Sequence, residues 1–129
     1  MRIIVTGDRN WECVELAGDV LQRLLRRYGE VVIVHGGARG VDESFALACD
    51  ALDVADEPHP ADWATHGRRA GPTRNQEMAD AGAAMCLAFH RDLMASKGTK
   101  DIVRRAIKAG IPTYVCSDET ASPVRVAGV

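Results

Sequence analysis

The stretch 31–42, which reads VVIVHGGARGVD, most constrains what this chain can fold into. It opens with four β-branched residues, and such a run is typical of a strand buried on both faces of a parallel sheet. Gly36, Gly37 and Gly40 then fall close together, and apolar residues follow them at helical spacing. The stretch therefore predicts a strand, a glycine-rich turn and a helix.

A turn of this kind can bind an anion. Glycine is needed where the backbone must turn tightly or approach a ligand, and the first turn of a helix offers N–H groups and a partial positive charge. Arg39, inside the turn, adds a planar cation suited to phosphate. A tight strand-to-helix connection without a ligand stays open as an alternative, because the turn matches neither a P-loop nor GxGxxG.

Composition limits the class of protein. A length of 129 residues indicates one domain with its own core. The net charge of −2 makes nucleic acid an unfavoured partner, and no apolar run approaches the ~20 residues of a membrane span. Because the chain opens directly on a strand pattern, without a visible signal peptide, we expect a cytoplasmic protein without a membrane partner.

The four cysteines and four histidines form no metal-binding pattern. The cysteines are scattered without a CxxC pair, so buried, reduced thiols are expected. The histidines lie at no zinc-site spacing from them. We therefore expect neither a metal nor a cofactor.

Strand and helix patterns alternate along the chain. Strands are predicted at 2–6, 31–34, 54–58, 84–89 and 111–116, with helices between them and long loops at 59–71 and 90–98. This order predicts an α/β, Rossmann-like three-layer fold, with a five-stranded, mainly parallel sheet and helices on both faces. We expect one domain over 1–116, followed by a C-terminal tail over 117–129.

Unusual residues concentrate at one predicted edge of this sheet. In doubly wound sheets ligands bind at the carboxyl ends of the strands, and there the turns 7–11 and 36–40 and the loops 59–71 and 90–98 would meet. Trp11 and Trp63 could stack on a base or belong to the core. Asp42 and Thr99 could bind a ligand or only cap their helices.

Five segments carry a resemblance that covers the chain to about residue 115. They are IVTGDRNW at 4–11, VHGGARGVD at 34–42, PADW at 60–63, AGPTRNQEM at 70–78 and KGTKD at 97–101. In this order they resemble the YspA-like, cpYpsA-related branch of the SLOG superfamily. The resemblance implies a Rossmann-like fold that binds nucleotides or nucleotide-derived ligands. Relatives include cytokinin-activating phosphoribohydrolases and the DNA-processing protein A family, which binds single-stranded DNA.

The residue pattern and the resemblance together give one set of ligand-binding candidates. They are Gly7, Arg9, Gly36, Gly37, Arg39, Gly40, Asp42, Trp63, Arg74, Asn75, Gly98 and Thr99.

Two positions depart from the family pattern. The first turn, commonly GSR in this branch, carries Asp8, whose carboxylate would repel a nearby phosphate. The catalytic glutamate of the phosphoribohydrolases falls on Ile102, with Asp101 one residue out of register. The catalytic residues are therefore not identified, and Asp101 and Asp42 are kept as candidates.

Three functions follow from these observations. The first is a sensor or binding protein for a nucleotide-like small molecule, and the second is a phosphoribohydrolase-like nucleotide hydrolase. The third is binding of single-stranded DNA, against which the acidity and the few aromatic residues count. The resemblance also implies a homodimer.

Overall fold

The computed structural model describes residues 1–120 and 122–129 of the chain. Across these residues lie six strands and five helices, with two short 3₁₀ turns at Gly67–Arg69 and Leu93–Ala95. The strands are β1 Arg2–Gly7, β2 Val32–His35, β3 Ala55–Pro58, β4 Met85–Phe89, β5 Thr113–Cys116 and β6 Val124–Val126. The helices are α1 Val14–Tyr28, α2 Val41–Ala51, α3 Trp63–His66, α4 Ala70–Ala81 and α5 Gly98–Lys108. Strands and helices alternate apart from the successive helices α3 and α4 and the successive strands β5 and β6.

The strands form one mixed sheet in the order β3-β2-β1-β4-β5-β6. Neighbouring strands from β3 to β5 are parallel, and β3 lies at an edge, as its acidic residues indicate. The predicted count of five strands is wrong, because β6 pairs antiparallel with β5. Strand β6 is only three residues long and largely exposed, which is too short for its own sequence to indicate a strand, and it depends on β5 for pairing.

Helices cover both faces of the sheet because successive strand residues point to opposite faces. On one face Ile3 and Val5 of β1 pack with Leu21 of α1 and Phe45 of α2. On the other face, Ile4 of β1 packs in a cluster with residues of α4 and α5. The central strand β1 is thus buried from both sides, and its carboxyl end opens between the two helical layers.

The segment 59–71 is more ordered than the predicted loop. The Asp62 carboxylate accepts a hydrogen bond from the Thr65 N–H at 3.1 Å and caps the short helix α3. Helix α4 then begins at Ala70, two residues before the predicted start. Pro72 lies in the first turn of α4, where backbone N–H groups have no acceptor within the helix, so the missing N–H of proline costs no hydrogen bond.

The thiols lie inside the protein. Cys13, Cys49, Cys86 and Cys116 are all buried. Burial raises the pKa of the Cys86 thiol to about 12 and the pKa of the Cys49 thiol to about 11. Such thiols carry little thiolate at neutral pH and are poor nucleophiles.

Residues 1–120 and 122–129 contain neither a membrane-spanning helix nor a cluster of metal ligands. No helix there has the length and apolar character needed to cross a membrane. No group of three or more His, Cys, Asp or Glu side chains is arranged to hold a metal ion.

Candidate functional site

A cleft of about 370 Å³ opens where the strand order reverses, between the carboxyl ends of β1 and β4. We call it the inner cleft. Its walls are the turns after β1, β2 and β4, the side of α4 and the start of α5. The lining residues are Thr6, Gly7, Asp8, Arg9, Asn10, Gly36, Ala38, Asp42, Arg74, Asn75, Met78, His90, Ser96, Lys97, Gly98 and Thr99.

The glycine-rich turn after β2 is held by side chains of its own segment. The Asp42 carboxylate accepts hydrogen bonds from the N–H groups of Gly36 at 3.1 Å and Ala38 at 3.2 Å. The N–H of Gly37 donates to Nδ1 of the buried His35 at 3.0 Å. Three successive amides are therefore engaged within the protein, whereas the sequence predicted that amides of this segment would face an anion.

Asp42 is neither a simple helix cap nor a free carboxylate. The N-cap position of α2 is Gly40, and Asp42 reaches back from the first turn of the helix to the loop. Burial is the largest influence on this carboxyl and raises its pKa, against the opposing effects of the Ala38 hydrogen bond and the His35 and Arg74 charges. Its Oδ1 atom is buried and has no hydrogen-bond partner among the described residues.

Two glycines of this turn are required by close neighbours. A Cβ at Gly36 would overlap the guanidinium of Arg74. Gly40 has φ +73°, and a Cβ there would overlap the main chain of Asp8 and Arg9. The turn after β2 therefore packs directly against the turn after β1 and against α4.

Arg74 projects from α4 and ties the site together. Its Nη1 donates to the carbonyl oxygens of Gly36 at 2.6 Å and His59 at 3.4 Å, and its Nε donates to Oδ1 of Asn75 at 2.8 Å. Burial lowers the pKa of this guanidinium, although arginine stays protonated at neutral pH. The Nη2 group takes part in none of these three bonds.

Asp101, a catalytic candidate from the sequence, does not line the inner cleft. Its Oδ2 accepts from Asn75 Nδ2 at 2.9 Å and from Arg105 Nε at 2.8 Å. The carboxylate thus joins α5 to α4 and, through Asn75, helps to orient Arg74.

The start of α5 forms the opposite wall. Gly98 and the buried Thr99 both line the inner cleft. The hydroxyl oxygen of Ser96 accepts from the N–H groups of Thr99 at 3.0 Å and Lys100 at 3.3 Å. Ser96, which the sequence reasoning missed, therefore provides the cap expected from Thr99, and the Lys97 side chain adds a cation to the wall.

A second cleft of about 310 Å³ adjoins the first, and we call it the outer cleft. It shares Arg9 and Arg74 with the inner cleft, and Arg39 and Trp63 also line it. The Trp63 side chain is 58% exposed. A single cavity system thus contains three arginines and an accessible aromatic ring.

The remaining ligand-binding candidates from the sequence differ in whether they are buried in the core or line a cleft. Trp11 is only 3% exposed, packs in the core and has the Arg91 guanidinium 4.5 Å from its ring centre, so it offers no stacking surface. Gly37 has φ +68° and lines the outer cleft. Gly7 ends β1 and lies against Val41.

His90, which the sequence reasoning also missed, lines the inner cleft. The available signal was its position immediately after β4, at the predicted ligand edge.

Comparison with known proteins places the chain in a family. The model of the YspA, cpYpsA-related SLOG family matches residues 1–66, which include β1, β2 and the glycine-rich turn. The "Gene 61 protein" of Mycobacterium phage D29 is 42% identical over 125 residues, covering 92% of this chain and 98% of that protein. No solved structure gave a significant match. The family model covers half of this chain, and the chain therefore belongs to the YspA, cpYpsA-related SLOG family.

Proposed function

We propose that this protein binds a nucleotide or nucleotide-derived small ligand at the carboxyl edge of its sheet, as a sensor or binding protein with a Rossmann-like site. The observation that carries the proposal is the pair of adjoining clefts that share Arg9 and Arg74. Family membership agrees with a nucleotide-related ligand. Each cleft lies near the lower end of the ~300–1,000 Å³ typical of small-molecule sites.

The phosphate would bind at the two shared arginines. Three hydrogen bonds to Gly36, His59 and Asn75 fix the Arg74 side chain, so little conformational entropy remains to be lost on binding. Its Nη2 group and the exposed Arg9 can then meet phosphate oxygens through charge-assisted bonds. This arrangement uses side-chain cations, since Asp42 and His35 occupy the amides of Gly36, Gly37 and Ala38 in the glycine-rich turn.

The base would stack on Trp63 in the outer cleft. An exposed tryptophan face can contribute about 1–3 kcal/mol by stacking on a base. A Cβ added at Gly71 of α4 would lie 3.6 Å from the edge of the Trp63 ring, so this edge lies close to the helix. More than half of Trp63 stays accessible.

Titration calorimetry with nucleoside mono-, di- and triphosphates tests this function. Arg74→Ala should weaken binding at least ~10-fold through loss of charge-assisted bonds, and Trp63→Ala should weaken it ~5- to 100-fold through loss of stacking. The matched control is Arg68→Ala, which removes an exposed arginine that lines neither cleft. Absence of binding at millimolar concentration, or equal losses in all three variants, would contradict the proposal.

A nucleotide hydrolase is the second candidate, and the unpartnered Oδ1 of Asp42 in the inner cleft favours it. A buried carboxyl with a raised pKa can act as a general acid. Incubation with nucleoside monophosphates would then release free base and ribose 5-phosphate, and Asp42→Asn would slow release ~100-fold. We expect no release above background and no effect of Asp101→Asn, because Asp101 is paired with Asn75 and Arg105.

A further inference from the structure

Asp8 and His90 belong to the part of the inner cleft that is not shared with the outer cleft, where Trp63 lies. Gly7 of β1 and Phe89 of β4 are register partners, so Asp8 and His90 are the next residues on two adjacent strands. Both line the inner cleft and neither lines the outer cleft. The proposed phosphate and base subsites use neither side chain.

Backbone hydrogen bonds fix both side chains. Oδ1 of Asp8 accepts from the Asn10 N–H at 2.8 Å, which leaves Oδ2 as the other acceptor. Nδ1 of His90 accepts from the Asp92 N–H at 2.9 Å, so the neutral imidazole carries its proton on Nε2. This Nε2 lies 3.9 Å from Oδ2 of Asp8, which is too far for a direct hydrogen bond.

The acceptor Oδ2 of Asp8 and the donor Nε2 of His90, 3.9 Å apart, have the spacing that a bridging hydroxyl group needs. A hydroxyl can donate to Asp8 Oδ2 and accept from His90 Nε2 at the same time. A phosphate oxygen has no proton to donate at neutral pH, and the Asp8 carboxylate would repel it. The Asp8–His90 pair therefore favours an alcohol over a phosphate.

We propose that the Asp8–His90 pair binds a hydroxyl of a second group carried by the ligand. The ligand class is a nucleoside diphosphate whose terminal phosphate is esterified to a sugar or another polyol. This assignment rests on the proposed nucleotide function, since it places the base at Trp63 and the diphosphate at Arg9 and Arg74. A nucleoside diphosphate alone would fill the outer cleft and bring its charged end toward Asp8.

Matched ligand pairs test the assignment by titration calorimetry. The probes are ADP against ADP-ribose, UDP against UDP-glucose and GDP against GDP-mannose. For the preferred base, the sugar-bearing ligand should bind the native protein at least ~10-fold more tightly, because a pair of polar groups placed to hydrogen-bond a hydroxyl discriminates against the analogue that lacks it.

Asp8→Asn should abolish this preference. The asparagine oxygen can still accept from the Asn10 N–H and keep the turn, but an NH₂ group then replaces the acceptor that faces His90. We expect weaker binding of the sugar-bearing ligand, unchanged or tighter binding of the diphosphate, and a ratio within ~2-fold of unity. Asp50→Asn removes the same charge from the exposed end of α2 and should keep the native ratio.

The outcomes separate the two proposals. If the diphosphates bind in a Trp63-dependent manner and the sugar adds nothing, or if Asp8→Asn keeps the preference, the hydroxyl site is refuted and the nucleotide function stands. If no member of any pair binds, both proposals are refuted. An additional His90→Ala variant should cause a loss of preference that is not additive with Asp8→Asn, because the two residues hold one hydroxyl.

Discussion

Two turns that face each other across the inner cleft both carry glycine at the start of a helix, but these glycines have different neighbours. In the turn before α2, Gly36 and Gly40 lie against Arg74 and against the main chain of the turn after β1. At the start of α5, a Cβ on Gly98 would meet no heavy atom within 4 Å. The first turn needs glycine for packing, whereas the second has room for a side chain.

In both turns, side chains of the protein accept hydrogen bonds from several of the amides. Asp42 and His35 accept three N–H groups before α2, and the Ser96 hydroxyl accepts two at the start of α5. A glycine-rich βα turn therefore does not by itself provide a main-chain anion site. For the proposed ligand, attraction for a phosphate would come mainly from the side chains of Arg9, Arg74 and Lys97, which line one cleft.

Gly40→Ala should cause the largest loss of stability. Its φ of +73° disfavours any residue with a Cβ, and the new methyl would overlap the main chain of Asp8 and Arg9. We expect the free energy of unfolding to fall by about 2–5 kcal/mol in urea denaturation. Gly18→Ala, in the open middle of α1, is the control and should gain about 0.5–1 kcal/mol. Equal stability of the two variants would show that the turn before α2 is not tightly packed.

Gly36→Ala should lower both stability and nucleotide affinity, and combining it with Arg74→Ala tests whether the loss of affinity acts through Arg74. The methyl would displace the Arg74 guanidinium, and the hydrogen bond from Nη1 to the Gly36 carbonyl would be strained. We expect a loss of about 1–3 kcal/mol in stability and at least ~10-fold weaker nucleotide binding, as for loss of a charge-assisted contact. Calorimetry of Gly36→Ala in the Arg74→Ala background should show little further loss of affinity. A full further loss would mean that Gly36 acts independently of Arg74.

Asp42→Asn should change how stability depends on pH. Burial raises the pKa of Asp42 above its ordinary value of 3.8, so the native state holds this proton more tightly than the unfolded state. Asp42 therefore contributes stability that is fully present below about pH 3.8 and is lost as pH rises through its raised native pKa.

Over that window the native protein should lose up to about 1.4 kcal/mol per pH unit relative to Asp42→Asn, whose amide does not titrate. Urea denaturation of both proteins from pH 3 upward measures this difference. The opposite slope would mean that the charges of His35 and Arg74 outweigh burial.

The sequence was sufficient where one segment determines its own structure. Sequence patterns predicted β1 to β5 and the helices α1, α2, α4 and α5, and their alternation predicted that the turns after β1, β2 and β4 would meet at one edge. The short helix α3 was missed, because residues 59–71 have no apolar period. Strand β6 was missed because Val124–Val126 is short and exposed, and only pairing with β5 defines it.

Side-chain partners across elements could not be read from the sequence. Asp101 looked like a possible base from its register, but the packing of α4 on α5 turns it toward Asn75 and Arg105. Trp11 and Trp63 both follow strands, and the sequence left stacking on a base possible for both. In the structure Trp11 is 3% exposed and Trp63 is 58% exposed. Burial and direction of a side chain depend on the whole fold, and local pattern does not specify them.

Gly98→Ala should have the smallest effect on the fold and gives the sharpest test of the contrast between the two turns. The methyl meets no heavy atom within 4 Å, and alanine is a better helix former than glycine, so stability should stay within about 0.5 kcal/mol of the native value or rise slightly. Since Gly98 lines the inner cleft, the methyl would still narrow the space for a ligand. We expect nucleotide affinity to fall ~3- to 10-fold, as for modest steric crowding of a site, with an unchanged urea midpoint. Destabilisation comparable to that of Gly40→Ala would remove the contrast, while unchanged affinity would show that the ligand stays clear of α5 and binds through Arg9 and Arg74 alone.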